Sequence, residues 1–170
     1  VDIKDEVAST FTLGELQSIV AQSTAEGTVE DEAGVIGGAL EFSGKHVSEI
    51  MVTRDNVHTL PFGCTPAEVE HAVARTGYSR FPVHDEAGIY MGYLHLKDAL
   101  DVAPERTDQA FPWYKLRSLT VLTPTTEIDD ALATMQQNRS HLAQVVDTSG
   151  TLLGVVFMED VIEELVGEIR

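Results

Sequence analysis

Two hydrophobic rhythms alternate along this chain: apolar residues at helical spacing, and short strand-like runs separated by turn chemistry. Leu13, Leu16, Ile19 and Val20 recur at helical spacing behind Thr12-Leu13-Gly14-Glu15. That tetrad is a capping box, in which the Thr hydroxyl and the Glu carboxylate satisfy free amides of the first turn, so a helix is expected to about Gln22. Thr28-Val29-Glu30-Asp31 opens a second helix, with Val35, Ile36, Ala39, Leu40 and Phe42 on its apolar side. Gly34, Gly37 and Gly38 weaken that helix or admit a close neighbour. Val47, Ile50 and Met51 predict a short third turn leading into the main domain.

A strand is expected from Asn56 to Leu60. Thr65-Pro66-Ala67-Glu68 then predicts a firm helix start, with Thr as cap, Pro at the first helical position and Glu closing the box. Val69, Ala72 and Val73 form its buried stripe, and Gly77 ends it. Phe81 to His84 and Tyr90 to Leu94 alternate as strands around the turn Asp85-Glu86-Ala87-Gly88, and Asp98 stands near the start of a short helix. Residues 103–115 form a connector with Pro104 and Pro112, whose Phe111, Trp113 and Tyr114 are expected to anchor it to the core.

The same plan follows again. Leu119 to Leu122 is a strand, and Thr125 or Thr126 caps a helix with Ile128, Ala131, Leu132 and Met135 as its stripe. Leu142 to Val146 and Leu152 to Val156 are strands around Asp147-Thr148-Ser149-Gly150, and a helix runs from Met158 to Val166 before Gly167. Val83 and Val145, Asp85 and Asp147, Gly88 and Gly150, Gly92 and Gly154, Asp98 and Asp160 each stand 62 positions apart. Five identities on one register, with matching elements, mark a duplicated unit.

Charge narrows the function. The 170 residues carry 28 acidic and 11 basic side chains, a formal net charge of −17, which repels a nucleic-acid backbone. A free nucleotide carrying Mg²⁺ is less affected, because the ion cancels much of its charge. The acidic runs before position 35 and in the last twelve residues fit solvated helix faces, with divalent-cation sensing by Glu30, Asp31 and Glu32 as the alternative. His46, His58, His71, His84 and His141 show no metal-ligand spacing, and no nucleophile stands beside a base, so no enzyme is expected. The lone Cys64 cannot form an internal disulfide. No apolar run reaches the roughly 20 residues of a membrane helix. The chain begins at Val1, so it is expected to be a piece of a longer protein.

From about Val47 to Ile169, two copies of strand–helix–strand–strand–helix resemble a tandem pair of CBS domains. The family's closing motif is Gly, two apolar residues, Ser or Thr, two residues and Asp. Its counterparts here are Gly92-Tyr93-Leu94-His95-Leu96-Lys97-Asp98 and Gly154-Val155-Val156-Phe157-Met158-Glu159-Asp160. His95 and Phe157 stand where the hydroxyl is expected. Further segments are similar to the CBS pair of CorC-type magnesium and cobalt efflux proteins, the haemolysin-like relatives of the cyclin M transporters. They are Gly77-Tyr78-Ser79-Arg80-Phe81-Pro82-Val83, Arg139-Ser140-His141-Leu142-Ala143 and the run from Glu159 to Ile169.

The resemblance implies an α+β fold of two pseudo-symmetric units (β-α-β-β-α) packed sheet to sheet. The implied divisions are an acidic helical connector over 1–46, a first unit with linker over 47–115 and a second over 116–170. It implies two clefts for adenine nucleotides, ATP or AMP, with or without Mg²⁺. In the better-formed cleft, Tyr78 or Phe81 flanks the base, Arg80 faces phosphate, Ser79 and Pro82 complete the rim, and Asp160 holds the ribose beside Phe157. The weaker cleft involves His95, Asp98, His141 and Leu142. The motif's physics fits this assignment: a strand end followed by a helix start offers free amides to phosphate, and a carboxylate accepts both ribose hydroxyls.

By the same resemblance the chain is a homodimeric regulatory module on the cytoplasmic side of a bacterial inner-membrane protein, between a membrane domain and a C-terminal domain. A nucleotide-free dimerisation scaffold is the competing expectation.

Overall fold

The computed structural model describes residues 44–167. The helices expected over 12–22 and 28–42, and the carboxylates Glu30, Asp31 and Glu32, lie outside them. In chain order the described residues form a 3₁₀ turn (Val47–Glu49), β1 (Val52–Thr53), β2 (Leu60–Pro61), α1 (Pro66–Thr76), β3 (Arg80–His84), β4 (Tyr90–His95) and α2 (Leu96–Leu100). After the connector come β5 (Thr120–Leu122), α3 (Ile128–Gln137), β6 (Leu142–Val146), β7 (Leu152–Phe157) and α4 (Met158–Gly167). The chain divides into two units, residues 56–119 and residues 44–55 with 120–167 among those described.

In the first unit the sheet order is β2-β3-β4, parallel between β2 and β3 and antiparallel between β3 and β4. The capping box forms as expected: the Thr65 hydroxyl accepts the Glu68 amide at 3.2 Å, and the Glu68 carboxylate accepts the Thr65 amide at 3.3 Å. Gly77 closes α1 in the left-handed region at φ 81°, where a side chain would be strained. Val69 and Ala72 of α1 pack with Leu60, Phe81, Val83 and Leu94 in one apolar cluster, each large side chain contributing roughly 1.5–3 kcal/mol by leaving water.

The second unit repeats this register. β3 and β6, β4 and β7, α1 and α3, α2 and α4 all begin 62 residues apart. Leu60 pairs with Val83 as Leu122 pairs with Val145, and a register shift follows each valine. Asp85 accepts the amides of Ala87 and Ile89 at 2.8 and 2.9 Å, while Asp147 accepts those of Ser149 and Thr151, both at 2.9 Å. The duplication therefore extends to individual hydrogen bonds.

A fourth strand completes the second sheet, in the order β1-β7-β6-β5. β1 lies against β7 with Val52 opposite Val155. In the first unit Arg117 takes the corresponding place, exchanging 2.9 Å amide–carbonyl bonds with Tyr93. The segment leading into each copy thus covers the sheet of the other. This explains the repeated glycine: a Cβ on Gly92 would lie 2.6 Å from the Arg117 carbonyl oxygen, and one on Gly154 would strike that of Val52.

Four expectations change. The strand placed over Asn56–Leu60 is a 3₁₀ turn at Arg54–Asn56 followed by Leu60–Pro61 alone; Pro61 is tolerated because β2 is an edge. Neither Thr125 nor Thr126 caps α3. Glu127 holds the cap position without a side-chain bond, and the Thr126 hydroxyl instead takes the Thr123 amide at 3.2 Å. Of the connector aromatics only Phe111 is anchored, while Trp113 and Tyr114 are 70% and 66% exposed. Finally, Val47 is fully buried in the second unit's core with Leu122, Ile128 and Leu132, although it precedes the first copy in sequence.

Candidate functional site

The segment Tyr78–Pro82 leaves α1 and becomes β3, passing from exposed at Tyr78 to buried from Arg80 onward. Tyr78 is partly exposed, with its ring centroid 5.4 Å from that of His58. The Ser79 carbonyl accepts the Leu96 amide at 2.8 Å, which ties the strand start to the first residue of α2. Arg80 is 5% exposed and lies across the sheet from His95. Phe81 is fully buried among Leu60, Val69 and Leu94. Its ring is part of the first unit's core. Pro82 is buried opposite Tyr93.

The weaker-cleft residues occupy the matching places. His95 is buried, and its Nδ1 accepts the Lys97 amide at 3.2 Å, doing for α2 what a Ser or Thr cap would do. Asp98 completes the box by accepting the His95 amide at 2.9 Å. Its carboxylate is also gripped by Arg117, with Nη2 2.8 Å from Oδ1 and Nε 3.0 Å from Oδ2. Such a two-point pairing occupies the geometry a ribose diol would need. The His141 carbonyl accepts the Met158 amide at 2.9 Å, as Ser79 does for Leu96. Leu142 is fully buried and pairs with Phe157. The polar couple Arg80–His95 of the first unit is therefore the apolar couple Leu142–Phe157 of the second.

Asp160 differs from Asp98 in every respect except position. Phe157 has no cap to offer, and the residue aligned with Arg117 on the neighbouring strand is Val52. Among the described residues no hydrogen bond or ion pair holds the Asp160 carboxylate, which is half-buried. Burial first, and the charge of Glu163 second, push its carboxyl above the usual range. Asp160 is a carboxylate poised for a donor; Asp98 has already been supplied with one.

Arg117 was not identifiable from sequence, since nothing in Lys115-Leu116-Arg117-Ser118 marks a bridge to a strand 24 residues earlier. Cys64 is buried, and its thiol is pushed up to about 11, mainly by burial and then by Glu68, which keeps it protonated and unreactive. No helix among the described residues is long and apolar enough to cross a membrane.

The model of the CBS domain matches this chain twice, over residues 47–105 and 116–167. An uncharacterized protein of Mycobacterium tuberculosis (strain ATCC 25618 / H37Rv) is 35% identical over 176 residues, covering 100% of this chain and 51% of its own length. The magnesium and cobalt efflux protein CorC of Salmonella typhimurium is 33% identical over 144 residues, covering 83% of this chain and 49% of its own. The chain thus spans about half the length of the curated relatives it matches.

Among solved structures, the CBS domain of a bacterial CNNM/CorC family Mg²⁺ transporter superposes with a TM-score of 0.70 at 27% identity, over 92% of this chain and 96% of that one. The same kind of domain in complex with ATP gives 0.67 at 28% identity, over 76% and 91%. With both sequence copies matched, and each folded as β-α-β-β-α, the chain belongs to the CBS domain family as a tandem pair of the CorC type.

Proposed function

We propose that this chain is the cytoplasmic regulatory module of a divalent-cation (magnesium or cobalt) efflux-type membrane protein, and that it binds one adenine nucleotide, ATP or AMP. Arg80 contacts phosphate, Tyr78 flanks the base with Ser79 and Pro82 beside it, and Asp160 accepts the ribose hydroxyls. The observation that carries this reading is the unpartnered Asp160 set against the occupied Asp98. A half-buried carboxylate without a donor is costly to the free protein, and a diol supplying two donors removes that cost. The cation that a phosphate needs stands on the other copy, as Arg80. Only one of the two closing carboxylates lacks a donor among the described residues, which supports one nucleotide per chain rather than two. The ATP complex of the CNNM/CorC relative is consistent with this assignment.

The module pairs with a second copy of itself, and the nucleotide favours one arrangement of that homodimer in proportion to its differential affinity. Isothermal titration with ATP and AMP, each with and without Mg²⁺, tests the reading. One binding event per chain is expected, weakened by roughly tenfold or more in Arg80→Ala and Asp160→Asn. No heat at millimolar ligand would sink it in favour of a nucleotide-free dimerisation scaffold, which the apolar Leu142–Phe157 couple favours.

A further inference from the structure

We propose that the start of α3 holds a hard divalent cation, Mg²⁺ or Ca²⁺, on the carboxylates of Glu127, Asp129 and Asp130. One oxygen from each of the three lies within 4.8 Å of the others. Carboxylate oxygens sharing one such ion, at bond lengths of about 2.1–2.6 Å, stand up to roughly 4–5 Å apart. An all-oxygen donor set selects a hard cation over zinc or copper.

Acidic residues in a first helical turn are ordinary, because the helix dipole favours them. That accounts for the exposed Asp130 but not for Asp129. The Asp129 side chain is in a residue only 7% exposed, and its Oδ1 has no hydrogen-bond partner. Buried polar atoms in that condition are rare and call for a missing partner.

Among the described residues no side chain supplies the missing positive charge. Among the described residues none of the three carboxylates is ion-paired. Lys45, whose carbonyl accepts the Ile128 amide, pairs its ammonium with Glu164. Nor does the fold require this acidity. The residues 62 positions earlier, at the start of α1, are Thr65, Ala67 and Glu68, and that helix caps itself conventionally. The triad belongs to the second copy alone and shares no residue with those assigned to the nucleotide. His46 pairs with Glu127, and the Val47 amide bonds to the Thr126 carbonyl, so a bound ion would also brace residues 45–48.

Mn²⁺ serves as the probe, counted by electron paramagnetic resonance on the full chain, with Mg²⁺ and Ca²⁺ as competitors. Wild type is expected to bind one Mn²⁺ more than Asp129→Asn, with affinity at that site lowered about tenfold or more by the substitution. Asp160→Asn is expected to keep the site, separating it from nucleotide binding. Asp129→Asn is also expected to unfold no earlier than wild type when no divalent cation is present, so failure to fold cannot imitate the result. Equal Mn²⁺ stoichiometry and affinity in wild type and Asp129→Asn would overturn the assignment, as would no binding at millimolar Mn²⁺.

Discussion

Asp98 and Asp160 occupy one position of a repeated scaffold and have opposite fates. Both follow a strand of six residues, and both sit at the third position of the helix that follows it. Asp98 is held by the His95 amide and by Arg117, whereas among the described residues nothing holds Asp160, and Val52 stands where Arg117 does in the first copy. The duplicated backbone specifies where a carboxylate goes. The segment laid across the neighbouring strand decides whether that carboxylate is paired with a cation.

This contrast can be broken most severely at Asp160 itself. Asp160→Asn is expected to weaken nucleotide binding by roughly ten- to a hundredfold, the worth of hydrogen bonds to a charged group, while Asp98→Asn leaves affinity within about twofold. Calorimetric titration of the two variants side by side decides the matter, and equal losses would restore a second site. A subtler break copies the seal. Val52→Arg places a guanidinium where Arg117 stands in the first copy, and should lower nucleotide affinity by about tenfold through competition for Asp160. Unchanged affinity would show that the residue on the covering segment does not control the carboxylate.

Stability should divide the pair in the other direction. Asp98→Ala removes a cap bond and an ion pair whose arginine is partly in solvent, so a loss of about 1–2 kcal/mol is expected from urea unfolding. Asp160→Asn should cost nothing and can add up to about 1 kcal/mol at neutral pH.

The smallest effect is its pH dependence. Since the Asp160 carboxyl is raised in the folded chain, the folded state binds that proton more tightly than the unfolded one. Wild-type stability is therefore reduced above the folded pKa and recovers as pH falls through it. The advantage of Asp160→Asn should shrink from neutral toward mildly acidic pH; a constant or growing advantage would contradict the raised carboxyl.

Much of this was legible in the sequence because the signals were local or repeated. Thr65, Pro66 and Glu68 specify a helix start from within four residues, and the paired Asp-x-x-Gly turns specify two hairpins. The common register of 62 extended those local signals into a fold. What escaped was set by distant neighbours. Whether a position in a β-strand packs the core depends on which face the sheet buries, so Phe81 looked like part of an aromatic rim and proved to be core. Arg117 reaches Asp98 across 19 residues, and Asp129 loses its solvent to packing that no periodicity announces. His95 breaks the family's motif by identity yet preserves its capping function, which only the geometry of Nδ1 reveals.

The exchanged covering segments also bear on how the molecule transmits load. A pull applied to the chain at Gly44 would not reach the first copy first. It would arrive at the edge of the second sheet, through β1 on β7 and through the buried Val47, and from β7 run straight into α4, where Asp160 sits. Tension entering ahead of the first copy is thus felt at the carboxylate of the second. Severing the chain in the connector before Leu116 would leave the first copy without Arg117, and removing residues before Leu60 would strip β1 from the second. The two copies are duplicates by sequence but not separable parts by mechanics.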